Sequence, residues 1–599
     1  MWPVRQFSSN RPVKMKLSPS TRQQKAPFSA PRAGAPKPLS PLNFSLAAIA
    51  LVIAIFAVYS PTLNFQFILD DHRFVNDPRV QSAGHIWEYF TNYVWAQFSG
   101  GPTSFYRPIF VLWMRLNFIL SEMSPWGWHF LSIAKHVLVA VLLGRLVWRV
   151  LQDRIAALMA ATLFALHPAQ TESVAWVTVP DPLMSAALLG SVLFYLRYAG
   201  EFPADSNPRA EKSARKSRKA SQAGNQVRSQ VAWLIASAFL GLAALFAKET
   251  AIVLLPVMFA LTLIMPARTP PQHGTDEGGA TDLRTRLLRA FRRTIPFLCG
   301  TATYVLLRLN AMGGRLGAAT QHLPWRTVLL SWPATLWFYV KVLLWPVRVR
   351  AFADSTEVDA FSVRAVLLPG LGVSCAIMVL GWALFWAWRK ARRDLPWGEA
   401  ASIKYALVLG TLILALPIFL TLNLNALNPG DFLHGRYTYL SLTGLMLLLA
   451  TGWHLLEKQR ITLLFVAGLV AIAFTVLTVK QETAWKDDLT VFTVAHQIAP
   501  HNAPVALNLA RAHVQTALQL GESGRCDEAV LTFNQVIREF PQDWYAWAGL
   551  GECLIQLKDL PKAEQSLRRA AELSHEPRVT QEWQELRSQM AGQPSAPHQ

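Results

Sequence analysis

Long apolar blocks alternate along this chain with short segments rich in Arg and Lys. An apolar run of about 17–25 residues is the length a helix needs to cross the hydrocarbon core of a bilayer. On that criterion the spacing predicts eleven crossings, at roughly 44–60, 127–147, 155–171, 182–198, 231–247, 250–266, 294–309, 363–388, 402–422, 437–456 and 461–480. Basic segments at Arg145–Arg154, Arg209–Arg228, Arg284–Arg293 and Arg389–Arg393 all fall between crossings on one side. Short Lys/Arg-rich segments stay in the cytoplasm, which puts the N-terminus inside and everything after Lys480 on the opposite face. Trp325–Trp345 is also apolar, but a twelfth crossing there would reverse the segment at Arg389. We therefore expect it to be interfacial or re-entrant, like Pro108–Leu120, which is interrupted by Arg115 and Asn117.

Beyond residue 503 the pattern becomes that of soluble paired helices. Trp547, Leu550, Gly551, Leu554, Ala563, Leu567 and Ala570 have the spacing of a tetratricopeptide repeat, whose small residues let two antiparallel helices touch. Ala529, Phe533 and Pro541 repeat the second-helix half upstream, and the first helix around Leu507–Leu518 is extended by about two turns. Stacks normally need about three repeats, so a pair is expected to lean on the membrane domain or on a protein partner. The expected organisation is a disordered basic cytoplasmic tail (1–42), a membrane domain (43–480), a connector (481–502), the repeats (503–577) and a flexible C-terminus (578–599).

Composition agrees. Of the 599 residues 52% are hydrophobic and 16% charged, with 22 Trp, too apolar for a soluble chain of this size. The formal charge of +20 is spread over segments flanking apolar runs, which is a topology signal and argues against nucleic acid as partner. Residues 1–42 hold eight Lys or Arg and no acid, and the first apolar run starts too late for a cleavable signal peptide. Cys299, Cys375, Cys526 and Cys553 have no metal-ligand spacing, although Cys526 and Cys553 are near enough in sequence to pair.

Candidate chemistry gathers at the outer ends of the crossings. Asp70 and Asp71 follow the first, where adjacent carboxylates suit acid/base work or cation binding; a solvated turn is the alternative. The same face carries His167, Glu172, Asp181, the Lys248-Glu249 pair, and Arg436-Tyr437 at the start of a returning crossing. Lys248 and Arg436 suit the phosphate of a lipid-linked substrate, against the alternatives of snorkelling or a local ion pair. Lys135 and His136 lie inside a crossing and are read either as functional or as satisfied by neighbouring helices.

The order Asp70-Asp71, Tyr106-Arg107-Pro108, His167-Pro-x2-Thr-Glu172-Ser-Val-Ala-Trp176, Lys248-Glu249-Thr250 and Arg436-Tyr437-x-Tyr439-Leu440, ending in repeats, resembles the transmembrane and tetratricopeptide-repeat O-mannosyltransferases. The resemblance covers most of 44–577 and implies an all-α polytopic GT-C glycosyltransferase with external amphipathic helices. It implies a polyprenyl-phosphate sugar as donor, mannose first among sugars, and a protein or glycan acceptor on the non-cytoplasmic face (periplasm or endoplasmic-reticulum lumen). By the same resemblance Asp70 or Asp71 is the base of an inverting transfer, and Arg436 and Lys248 face the donor phosphate. Arg107, His167, Glu172, Asp181, Glu249 and Tyr437 then line the cavity. No cofactor or metal is expected. In eukaryotic members an acidic residue precedes the Arg-Tyr pair, where this chain has Gly435. The other readings are a non-catalytic membrane scaffold presenting its repeats, and transfer of a lipid-linked oligosaccharide.

Overall fold

The computed structural model describes residues 40–97, 105–200, 221–265, 283–315, 323–348, 357–427, 432–500, 502–574 and 576–592. Among them every regular element is a helix. Residues 1–39 of the tail expected at 1–42, and residues 209–220 of the second basic segment, lie outside the described residues.

The first helix, α1 (Pro41–Tyr59), leads into a long loop that contains the short α2 (Asp71–Val75) and ends at α3 (Pro108–Ser121). A buried Asp77–Arg79 ion pair ties this loop together, the guanidinium also donating to the Tyr93 and Val94 carbonyls. The helices α4 (Pro125–Leu151), α5 (Arg154–Ala165), the five-residue α6 (Thr171–Ala175) and α7 (Asp181–Ala199) come next. They are followed by α8 (Ser221–Ala247), α9 (Leu254–Ile264), α10 (Leu283–Ala311) and α11 (Trp325–Leu344). The membrane part closes with α12 (Leu368–Asp394), α13 (Trp397–Leu420), α14 (Tyr439–Leu455) and α15 (Arg460–Glu482). Eight helices among the described residues are long and apolar enough to cross a membrane, and α11 is one of them. The basic segments expected as loops are largely helical where they are described, Arg145–Arg154 included. Arg284–Arg293 belongs to α10, Arg389–Arg393 to α12, and 221–228 to α8, because Arg and Lys are good helix formers and extend the apolar helices beside them.

The two ends of the bundle differ in chemistry. At one end Asp153, capping α5, holds His454 at 3.0 Å and Arg460 at 3.4 Å, and Arg289 donates to the Met265 carbonyl. At the other end lie the Asp70 loop, the α6 segment and the 434–437 turn. Both ends of α11 are tied to this second end. Thr327 and Trp332 bond Asp359 and the Leu422 carbonyl, while the Leu343 and Pro346 carbonyls accept from His167 and Gln481.

After α15 come α16 (Asp488–Ile498) and the repeat helices α17 (Ala503–Glu522), α18 (Cys526–Glu539), α19 (Trp544–Gln556) and α20 (Leu560–Ser574). Residues 578–592 of the C-terminus expected to be flexible lie in a further helix, α21 (Pro577–Gly592), and 593–599 lie outside the described residues. Val579, Trp583, Leu586 and Met590 recur at helical spacing and pack on the repeat core, an amphipathic stripe that the sequence already contained. Cys526 and Cys553 are both buried and remain free thiols.

Helices α13 and α14 meet backbone to backbone. A Cβ on Gly444 would lie 2.5 Å from both the Gly410 oxygen and the Leu414 nitrogen, and small residues are what allow such an approach between membrane helices. Gly444→Ala is expected to destabilise the domain by about 1–3 kcal/mol. A melting midpoint in detergent equal to wild type would contradict this packing.

Candidate functional site

The first turn after α1 sets the geometry. Extended chain at Phe65 gives way to Leu69 in the left-handed region (φ 53°), an uncommon conformation for a branched residue, and this reversal presents Asp70 and starts α2 at Asp71. The two carboxylates then take different environments. Asp71 is fully buried and accepts from the Ile68 N–H (3.1 Å), the Thr178 hydroxyl (2.7 Å) and the Thr178 N–H (3.2 Å). Burial pushes its carboxyl up to about 7 against the opposing pull of those donors. Asp71 thus links the loop to the segment after α6, and of the two residues expected as base it is the one turned inward. Asp70 lines an open cleft of about 360 Å³ with Trp176, His434 and Asp488 on the same walls.

Asp488, which sequence reasoning passed over, holds Leu69 and His72, the residues on either side of the Asp70-Asp71 pair. Its Oδ1 accepts the Leu69 N–H at 2.8 Å and its Oδ2 meets His72 Nε2 at 2.9 Å. That hydrogen bond raises the imidazole pKa above its ordinary value. Gln66 N–H donates to the Lys486 carbonyl, and Trp485 stacks near Trp176 at 6.2 Å, so the connector and the Asp70 loop share one small core with Phe65 and Ile68.

Beside the cleft stand three cation–carboxylate pairs. Arg107 grips Glu249 through Nη2 (2.6 Å) and Nε (3.0 Å). The Lys248 ammonium is held by both Asp181 oxygens at 2.7 Å. Glu172 accepts from the Arg436 N–H (2.9 Å) and Nη1 (3.1 Å), with His434 Nδ1 at 3.1 Å. Each acid lies in the first turn of a helix or 3-10 turn, where the backbone dipole favours negative charge. Burial opposes ionisation of Glu172, but Arg436 and His434 outweigh it and hold the carboxyl below its usual range. Tyr437 lies between two of the pairs, its ring 5.0 Å from Lys248 and 5.5 Å from Arg436, while Arg436 also covers Trp176 at 4.5 Å.

The structure thus brings together Asp70, Arg107, Glu172, Asp181, Lys248, Glu249, Arg436 and Tyr437. Several roles nevertheless change. Glu172 and Asp181 hold cations and do not offer their carboxylates to the cavity. Lys248 is 7% exposed and paired, its partner being Asp181 and not the adjacent Glu249. Arg436 is the most exposed of the three cations at 16%. Glu172 also supplies, from another helix, the acid that Gly435 does not provide. His167 leaves the site: it caps the 3-10 turn at 168–170, meets the Leu343 carbonyl at 3.2 Å and packs on Phe474. Lys135 and His136 are satisfied inside the bundle, His136 by Tyr439 and the Ala165 carbonyl, Lys135 by the Val177 carbonyl. No group of three metal-ligating side chains occurs among the described residues.

A tetratricopeptide-repeat profile matches residues 502–576. The chain is 27% identical over 563 residues to protein O-mannosyl-transferase Tmtc1 of Drosophila melanogaster, covering 81% of this chain and 60% of that one. It is 25% identical to human TMTC1 (84% and 56% covered) and 23% identical to mouse TMTC3 (88% and 55%). The chain thus spans between 55% and 60% of the length of these curated relatives. The archaeal oligosaccharyltransferase AglB of Archaeoglobus fulgidus, solved with an inhibitory peptide and a dolichol-phosphate, aligns with a TM-score of 0.41 at 13% identity, covering 78% of this chain and 60% of that chain.

A carboxyl whose pKa rises from 3.8 unfolded to about 7 folded contributes stability below pH ~4 that is lost as pH rises through ~7. Between pH 5 and 8 the melting midpoint of wild type is accordingly expected to fall relative to that of Asp71→Asn, which cannot titrate. Parallel curves for the two proteins would refute the assignment.

Proposed function

We propose that the chain is a membrane glycosyltransferase that moves a sugar, mannose first among candidates, from a polyprenyl-phosphate carrier to a hydroxyl acceptor on the non-cytoplasmic face. The observation that carries this reading is the placement of Asp70 in an open cleft whose walls lead to Arg436: Trp176 lies under its guanidinium, and His434 shares the Glu172 carboxylate with it. The names of the similar proteins point the same way.

In this reading the acceptor oxygen forms a bond to the anomeric carbon as the bond from that carbon to the phosphate oxygen breaks. The hydroxyl proton passes to Asp70. The electron pair leaves on the phosphate, which gains negative charge, and attack opposite the leaving group inverts the anomeric centre. Arg436 is placed to meet that charge through its planar donors. Lys248 and Arg107 act at one remove, since Arg436 lies against the cleft wall at Trp176 while Lys248 reaches it only through Tyr437 and Arg107 is held by Glu249. The reaction as proposed needs no metal.

Contacts support one shared outer face for several of the expected crossings. Asp71 to Thr178, Glu172 to Arg436, Lys248 to Asp181 and Leu69 to Asp488 join the outer ends of six crossings on one face. Both ends of α11 bond to that face, which supports an interfacial or re-entrant course for this helix. The Arg-rich opposite end is then cytoplasmic.

The experiment is transfer from radiolabelled polyprenyl-phosphate-mannose by the purified full chain. General-base catalysis contributes about 10²–10⁴-fold, so Asp70→Asn is expected to lower kcat by at least about 10²-fold at an unchanged melting midpoint. A fully active Asp70→Asn, or wild type inert with every polyprenyl-phosphate sugar offered, would sink the proposal and leave the scaffold reading.

A further inference from the structure

The cleft at Asp70 has a second wall that the mechanism does not use. Asn508, Arg511 and Gln515 of α17 face Leu69, Asp70 and Trp176 across it. Arg511 and Gln515 also line a larger groove of about 1070 Å³, which continues along the repeats to Phe540, Trp544 and Tyr545. The two cavities are therefore joined along one helix.

The lining of that helix is regular. Asn508, Arg511, Gln515, Gln519 and Glu522 recur at intervals of three and four, so they form one stripe on the face that fronts these cavities. Side-chain amides both donate and accept hydrogen bonds, as a peptide backbone does, and pair with it irrespective of its sequence. At the far end Trp544 and Tyr545 stack with ring centroids 3.6 Å apart, and Tyr545 is 58% exposed. A helix of 20 residues is about 30 Å long, the span of about nine residues of extended chain.

We propose that the stripe on α17 is the acceptor-binding surface, and that it takes an extended, unfolded polypeptide segment whose Ser or Thr hydroxyl reaches Asp70. The proposal rests on the transferase reading above and names where and in what conformation its acceptor binds. The bonds from Asp488 to Leu69 and His72 fix the start of α16, and through it α17, against the Asp70 loop, so the groove and the base keep one register.

The test compares two acceptors with the full chain and a polyprenyl-phosphate-mannose donor: a pool of random 12-residue peptides with a central Thr, and N-acetyl-threonine amide, too short to reach the groove. The variants are Gln519→Ala/Tyr545→Ala, in the groove beyond the cleft, and Arg511→Glu, with melting midpoints as a fold control. We expect wild type to prefer the peptide pool, and each variant to lose at least 10-fold in kcat/KM for the pool, mainly through KM. Transfer to N-acetyl-threonine amide stays within twofold of wild type for the Gln519→Ala/Tyr545→Ala protein. Equal losses on both acceptors, no loss on either, or a wild type that glycosylates a glycan acceptor and not the peptides would overturn the proposal. A wild type that transfers to no acceptor would instead count against the transferase reading itself.

Discussion

The Asp488 carboxylate is the interaction on which the outer face depends. One oxygen takes the N–H of Leu69, a residue held in the left-handed region, and the other takes the ring of His72. A strained turn persists only where its surroundings over-determine it, and here the surroundings include a connector more than 400 residues away in sequence. Without that carboxylate the backbone N–H of Leu69 loses its partner, and the turn that carries Asp70 loses its tie to the C-terminal part of the chain. The C-terminal part of the chain is thus a structural component of the loop that carries the candidate base.

The cations beside the cleft obey a second constraint. Arg107, Lys248 and Arg436 are matched one to one by Glu249, Asp181 and Glu172, so the cluster is close to neutral before any substrate arrives. Burying charge this deeply is costly unless each partner is present, and removing one member of a buried pair typically costs about 3–5 kcal/mol. The carboxylates therefore act as supports that keep cations in a poorly hydrated place. The departure at Gly435 fits this logic: Arg436 needs an acid nearby, and Glu172 provides it across 264 residues of sequence.

Much of this was legible in the sequence because it is local. Apolar run length marks the membrane helices, small residues at fixed spacing mark the repeats, and the motif residues Asp70, Arg107, Lys248 and Arg436 do assemble at one end of the bundle. What was not legible depends on pairing at long range or on which way a side chain turns. Nothing local says that Asp71 turns inward to Thr178 while Asp70 faces outward, that His167 caps its own turn, or that Asp488 reaches Leu69. The stripe of Val579, Trp583, Leu586 and Met590 is the exception: its period is local and marks α21 plainly, and polar composition obscured it.

Two repeats are too few to bury their own ends, and the structure answers this at both sides. Helix α21 packs on α20 at one end, and α16 packs on α17 at the other. Helix α16 follows α15 after only a short 3-10 turn, so the repeats are anchored by the last apolar helix instead of hanging from a linker. The buried Trp485 and Val491 continue this anchorage into the core that holds Phe65 and Ile68. A short array fixed in this way cannot act as a freely swinging recruitment arm. Its surface stays in one position over the Asp70 cleft, and that favours a part in positioning whatever enters the cleft.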